Sequence, residues 1–442
     1  MKKIIFLFLG YFYFFTLYGQ EGFQFKTSGH KITIPFKLVN NLLFIPIKVN
    51  GVELNFLLDS GVEETILFSM DDTKEVHLFN IEKIKLRGLG IDESIEGLKS
   101  TNNILEIDGL KSVNHLLYIV LDQKFNLSSH VGIPVNGIIG YHFFKNNLVE
   151  INYQKKIIYV HAENSKYKKT LEKRFRKTPI TIEKSKPYTL GTIGINKEQI
   201  SVKLLIDIGN SDAIWLFQNA AQKIEIPSKN FEDYLGQGFS GDVFGKRAMI
   251  SSFSLSKFEF NNPIVAFPDL NSTKNVKMVE GRSGSIGTEI LKRFTVVFDY
   301  SNQWMYLRKN NDFDSPFSYN KSGIEIQNFG YQWVNETIRL DNVVENKNSF
   351  GSREIVQSND FKYKLQLKPI YIISVIRNNS QAAVVGLQKE DVILNINNRP
   401  AYYYSLEKIN SLLRPDQDKW LTFEVDRNGK KLVFKFHIQN EL

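Results

Sequence analysis

Cysteine is absent from all 442 residues. Its absence excludes disulfide staples, thiolate nucleophiles and a lipid-modified N-terminal cysteine. Histidine is scarce, and the seven present, among them His30, His77, His115, His130, His142 and His161, show no metal-ligand spacing. No metal and no cofactor is expected. A Gly-x-Ser-x-Gly nucleophile elbow is missing too, since Gly281-Arg282-Ser283-Gly284 fails its spacing. Zinc-finger, RNA-recognition and helix-turn-helix patterns are lacking. The denser basic run at residues 166–177 therefore reads as a solvated linker or helix face, and no nucleic-acid partner is expected despite a net charge of +9.

What is present describes a folded, exported chain. Hydrophobic residues make up 42% and aromatics 13%, enough for two or three domains with their own cores. Residues 1–20 stand apart: Lys2 and Lys3 precede an apolar run over 4–17, followed by Tyr18-Gly19-Gln20. The run is shorter than the ~20 residues of a spanning helix, so a signal peptide is expected at 1–20. The product would be periplasmic, secreted or associated with the outer face, and it would meet a membrane only if the leader stays uncleaved.

An internal repeat organises the next 290 or so positions (residues 21–310). The first copy runs from Leu43-Phe44-Ile45-Pro46 through Leu57-Leu58-Asp59-Ser60-Gly61. The second runs from Tyr188-Thr189-Leu190-Gly191 through Leu205-Ile206-Asp207-Ile208-Gly209. Each has a strand, a turn and an apolar strand that ends in Asp-x-Gly. A second landmark follows at Gly137-Ile138-Ile139-Gly140 and at Gly284-Ser285-Ile286-Gly287. Asp59 lies 81 residues before Gly140, and Asp207 lies 80 before Gly287. Short β-rich runs punctuated by Gly, Asn and Pro fill both intervals, so each copy reads as a mostly-β lobe.

A carboxylate at the end of an apolar strand is costly unless paired or protonated. Two at matched places in a repeat suggest a pseudo-two-fold axis with both acids beside it. Acids that close share a proton. One then takes a proton from water while the other donates to a carbonyl oxygen. Asp299 is weighed as a third acid and set aside: its partner in the repeat is Asn152, and a structural turn is expected at both.

These motifs resemble the signature of retropepsin-like and pepsin-like aspartic peptidases, over roughly residues 30–310. The resemblance implies a catalytic dyad of Asp59 and Asp207, supported by Ser60, Gly61, Gly209, Gly140 and Gly287. It also implies a polypeptide substrate and a flap over the cleft. Gly236, Gly238 and Gly241 are similar to a glycine-bearing flap, and residues 87–97 are the first-copy counterpart. With both acids on one chain, a monomer suffices. Ile208 departs from the pattern, which places Thr or Ser there so that two hydroxyls interlock below the acids. Val62, Asn210 and the Glu63-Glu64 pair depart from it as well, the two glutamates adding charge that would raise Asp59 if near. The rival reading is a catalytically impaired pseudopeptidase that binds peptides.

From residue 368 the pattern changes. Ser380-Gln381-Ala382-Ala383, Gly386-Leu387 and Glu390-Asp391-Val392-Ile393-Leu394 resemble a PDZ domain, and the whole arrangement resembles bacterial exported aspartyl peptidases. The resemblance implies capture of a peptide C-terminus or internal peptide as an added strand, with Tyr371, Ile372 and Ile373 as its binding stretch. The expected fold is mostly β: two pseudo-symmetric acid-protease-type β-barrel lobes followed by an α+β PDZ-like domain. The boundaries are 28–163 and 178–309 for the lobes, 310–351 for a connecting region and 352–440 for the PDZ-like domain.

Overall fold

A computed structural model of the chain describes residues 22–442 apart from 28, 69–74, 87–94, 122–125, 163–164, 239–240, 274–277 and 348–352. The leader at 1–20 and the flap stretch at 87–94 lie outside the described residues.

Strands predominate, and the same arrangement is laid out twice. In the first copy, β1 (Val52–Leu58) buries Leu54, Phe56 and Leu58 and stops at Asp59. It is followed by β2 (Thr65–Leu67), a short helix α1 (Leu127–Val131) and β3 (Gly137–Ile139). β3 slots in parallel to β1 and antiparallel to β2. In the second copy, β4 (Glu198–Ile206) ends at Asp207 and β5 (Ile214–Leu216) follows. A hairpin of β6 (Asn230–Gly238) and β7 (Gly241–Met249) comes next, then β8 (Arg282–Ile286). β8 is again parallel to β4 and antiparallel to β5. The last three residues of each acid-bearing strand, Phe56 to Leu58 and Leu204 to Ile206, are buried on both faces, which is why those stretches read as apolar runs without alternation.

The copies meet in one six-stranded sheet. Its order is Arg176–Pro179, Trp304–Lys309, Phe294–Asp299, Leu148–Asn152, Ile157–His161, Lys31–Pro35. At its centre Val149 pairs with Phe298 and Ile151 with Val296, and exchanging the copies maps one pair onto the other. A single apolar core runs from Phe23 to Phe313 through both copies. The break expected between residues 163 and 178 is therefore a break in the chain and not in the core. Across it the basic run folds as the helix Ser165–Arg174. Tyr167 and Leu171 pack on Leu148, Val297 and Tyr306, while Lys166, Lys169, Lys173 and Arg174 face solvent.

The C-terminal unit has its own core, from Ile324 to Ile438. Its sheet runs β9 (Ile324–Lys347), β10 (Arg353–Ile376), β11 (Val392–Ile396), β12 (Lys419–Arg427) and β13 (Lys430–Ile438). The helix α2 (Leu406–Leu412) is capped by Ser405, whose Oγ accepts from Lys408 N–H at 3.2 Å. β12 and β13 turn at Asn428-Gly429, both at positive φ, as a two-residue hairpin requires. The connecting region expected at 310–351 is corrected: from Ile324 it is the first strand of this sheet, with Ile324 and Ile326 buried. Only its first residues enter the core. Beyond them β9 and β10 run on as a two-stranded ribbon that leaves Phe329, Tyr331, Trp333, Tyr363, Leu365 and Leu367 exposed, so no single periodicity marks the strand in the sequence.

Candidate active site

Each acid is fixed by its neighbouring strand. Asp59 N–H donates to Ile139 O at 2.8 Å, and Asp207 N–H to Ile286 O at 2.9 Å. The backbone then turns back under each carboxyl. Gly61 N–H donates to Asp59 Oδ1 at 2.7 Å, and Gly209 N–H to Asp207 Oδ1 at 3.1 Å. Below, Tyr141 N–H reaches Val62 O at 3.1 Å and Thr288 N–H reaches Asn210 O at 2.7 Å, so the segments after Gly140 and Gly287 close matching loops.

Both acids point to the same place. A Cβ added to Gly61 would lie 2.9 Å from Asp207 Oδ1 and 3.1 Å from Asp59 Oδ1, and one added to Gly209 would fall on the carboxyl carbon of Asp59. Only glycine leaves room for the opposing acid. The two carboxyls hydrogen-bond each other. Burial pushes Asp59 well above the usual carboxylate range, and the Asp207 charge adds to that. Burial also raises Asp207, but Arg282 beside it pulls the other way. Acids this close share one proton, and Arg282 favours the charge on Asp207.

The cations near the pair come from the second copy. Lys186 favours the charged form of both acids. Arg282 is held by Gly284 O at 3.1 Å and lies over the Phe217 ring; burial lowers its pKa, while Tyr188 and Asp207 favour its charge. Neither was singled out from the sequence. The only available signal was the position of Arg282 two residues before the second Gly-x-x-Gly landmark. Glu63 is not among the groups that act on Asp59; it accepts from Ser185 Oγ at 2.9 Å. In the mirror arrangement Asn41 Nδ2 donates to Ser211 O at 2.9 Å. Each copy thus sends a hairpin turn onto the acid loop of the other.

Ser60 ties the copies together underneath. Its Oγ donates to Ile206 O at 2.7 Å and accepts from Ile208 N–H at 3.0 Å. Ile208 is fully buried and returns no such bond; its carbonyl accepts from Thr288 Oγ1 at 3.0 Å. Half of the interlock is present. Replacing Ser60 with Ala orphans a buried N–H and a buried C=O, and is expected to cost about 1–3 kcal/mol. Thermal unfolding would show it as a lowered Tm, whereas an unchanged Tm would mean that water replaces the hydroxyl.

Asp299 stands away from the acid pair. Its Oδ1 accepts from Asn302 N–H at 3.2 Å, as Asn152 Oδ1 accepts from Lys155 N–H at 3.0 Å in the first copy. Gly236, Gly238 and Gly241 lie in the β6–β7 hairpin, where Gly238 pairs with Gly241 at the end of the described strands.

The peptide-binding stretch needs a correction. Tyr371 and Ile372 pair with Asn328 and Gln327 on one side and with Ile393 and Val392 on the other, and Ile373 is buried against Ile326. A strand paired on both sides cannot accept a third. Among the described residues the free edge on this side of the sheet belongs to β9. Flanking motifs identify β10 in the sequence, but an edge is a property of the assembled sheet.

Residues 344–425 match the PDZ domain family. The matched stretch begins within the ribbon and ends in β12, so the chain carries a PDZ domain at its C-terminal end. A PDZ domain implies a peptide or protein partner. No curated protein matches the chain.

Proposed function

We propose that the two-copy body is an aspartic-type endopeptidase acting on polypeptides, with the PDZ domain binding a peptide or the substrate itself. The observation that carries this is the meeting of two half-buried carboxyls at the junction of two duplicated strand trios. Ionised Asp207 takes a proton from a bound water, whose oxygen adds to the scissile carbonyl carbon. Asp59 gives its proton to the carbonyl oxygen, and collapse of the tetrahedral adduct expels the amine, which leaves with a proton. Because chemistry needs one protonated and one ionised acid, cleavage is lost as pH rises through the upper value of the pair and both ionise. The full chain should therefore cut a denatured protein at acidic pH and lose that activity toward neutral or alkaline pH. A rate that rises with alkali would exclude the dyad. We place the activity outside the cytoplasm, on the strength of the leader's composition.

A second reading, a peptide-binding protein without catalysis, is favoured by Ile208, which leaves the acid loops tied by one hydroxyl instead of two. Peptide binding with no cleavage between pH 3 and 7, a window of roughly the carboxylate range and above, would establish it.

A further inference from the structure

At residues 324–328 the free edge of the PDZ sheet is buried or half-buried. β9 at residues 324–328 lies alongside α2, and a strand edge beside a helix is the geometry that accepts an added peptide strand. Here α1 of the first copy lies against β9. Gly132, which ends α1, sits on α2 so closely that an added Cβ would be 2.7 Å from Leu406 Cβ. Asn410 of α2 donates to Asn40 Oδ1 at 3.4 Å. On the other flank Glu325, the second residue of β9, is half-buried and accepts from Asn320 Nδ2 at 3.0 Å, and its charge acts on Tyr234 of β6.

A line of buried charges continues from there. Glu441 pairs with Arg377 at 2.7 Å and Arg377 with Asp233 of β6 at 3.6 Å. Asp233 pairs with Arg247 of β7 at 2.6 Å, and Arg247 with Asp212 at 2.8 Å. Asp212 lies five residues beyond Asp207, and its backbone oxygen accepts from Glu289 N–H at 3.2 Å beneath Gly287. Arg377 is 3% exposed at its side chain and Asp233 7%, so water does little to screen this link.

We propose that the PDZ domain is docked in a self-inhibited posture: α1 covers its peptide groove while the Arg377–Asp233–Arg247–Asp212 line fixes the β6–β7 hairpin. The ligand is an extended peptide presenting apolar side chains toward the gap between β9 and α2, behind which Ile324, Ile326, Leu406 and Ile409 are buried in the core. Its binding competes with α1, undocks the domain and frees the β6–β7 hairpin. The last step rests on the peptidase reading; the covering of the groove does not.

The test uses the full chain, whose lack of cysteine allows a clean lock. Asn40→Cys with Asn410→Cys, bridged by oxidation or by dibromobimane, holds α2 against the first copy. Asp233→Asn weakens the docking while leaving Arg247 with Asp212 and Arg377 with Glu441. Amide exchange followed by mass spectrometry should show residues 127–132 and 324–328 protected in the wild type. In Asp233→Asn their exchange should be about 5-fold faster or more, and in the locked form slower. A fluorescent pool of random decapeptides with free carboxyl ends should bind Asp233→Asn more tightly than wild type, and the disulfide-locked form only after reduction. Equal exchange in all three, or equal peptide binding with and without the lock, overturns the proposal. Where the peptides bind as expected but no form cleaves protein, the peptidase reading fails and the covered groove stands.

Discussion

On the proposed peptidase reading, Asp59→Asn is expected to abolish cleavage, and it should make the protein more heat-stable at neutral pH. Loss of the acid that carries the shared proton removes general acid catalysis, which contributes about 10²–10⁴-fold. The gain in stability has a separate cause. Two carboxyls are held against each other, and both are raised above the 3.8 of the unfolded chain. A raised acid holds its proton more tightly folded than unfolded. Its contribution is fully present below 3.8 and is lost as pH rises through the folded value. At pH 7 the folded pair therefore carries charge that burial opposes, and a neutral amide relieves it. Each kcal/mol recovered should raise Tm by about 2 °C in a body of this size. Asp207→Asn should behave alike, with a smaller gain, because Arg282 and Lys186 already favour its charge. The advantage of either variant should shrink as pH falls toward 4, within about a unit of the carboxylate range. Calorimetry across that range, paired with a cleavage assay, checks both halves. An active variant, or one whose gain in stability over the wild type is no larger at pH 7 than at pH 4, would overturn the assignment.

Gly209→Ala is expected to inactivate as fully as removal of an acid, with both acids still present. The new methyl would occupy the position of the Asp59 carboxyl, so Asp59 must swing away or the Asp207 loop must retreat. Either movement breaks the shared hydrogen bond, and displacement of a reacting group by about 1 Å already costs on the order of 10²-fold. Gly51→Ala is the control. Gly51 lies at positive φ, which Gly209 does not, and it has open space around it in the hairpin turn at the other end of β1 from Asp59. It should lose stability, by about 1 kcal/mol, with little effect on cleavage. Comparing kcat/KM with Tm for the two variants separates crowding of the acids from backbone strain. Equal losses of activity would mean that the glycine matters only for its turn.

Much of the arrangement was legible because duplication writes itself into spacing. The equal intervals from Asp59 to Gly140 and from Asp207 to Gly287 reflect two trios in which a Gly-x-x-Gly strand packs parallel to the acid-bearing strand. Glycine is needed wherever two backbones or an opposing acid approach closely, so it marks such places in the letters. Ser60 and Ile208 could likewise be compared as counterparts. Lys186 and Arg282 could not. A lysine in a turn and an arginine in a Gly-rich stretch look like surface residues until the chain folds over them. Glu63 misled in the opposite direction: four residues from Asp59 in sequence, it points to Ser185 of the other copy.

The sequence by itself determined that the chain is doubled, which residues end the matched strands, and that a different, PDZ-type unit follows. Those features are local, set by the apolar content and turn residues of short segments. Only the tertiary structure decided that the copies share one core and that both carboxyls occupy one site. It alone moved the start of the last sheet to Ile324, its free edge to β9, and α1 onto that edge. Each of these depends on which surfaces meet across more than a hundred residues of chain, and neither composition nor periodicity carries information about that choice.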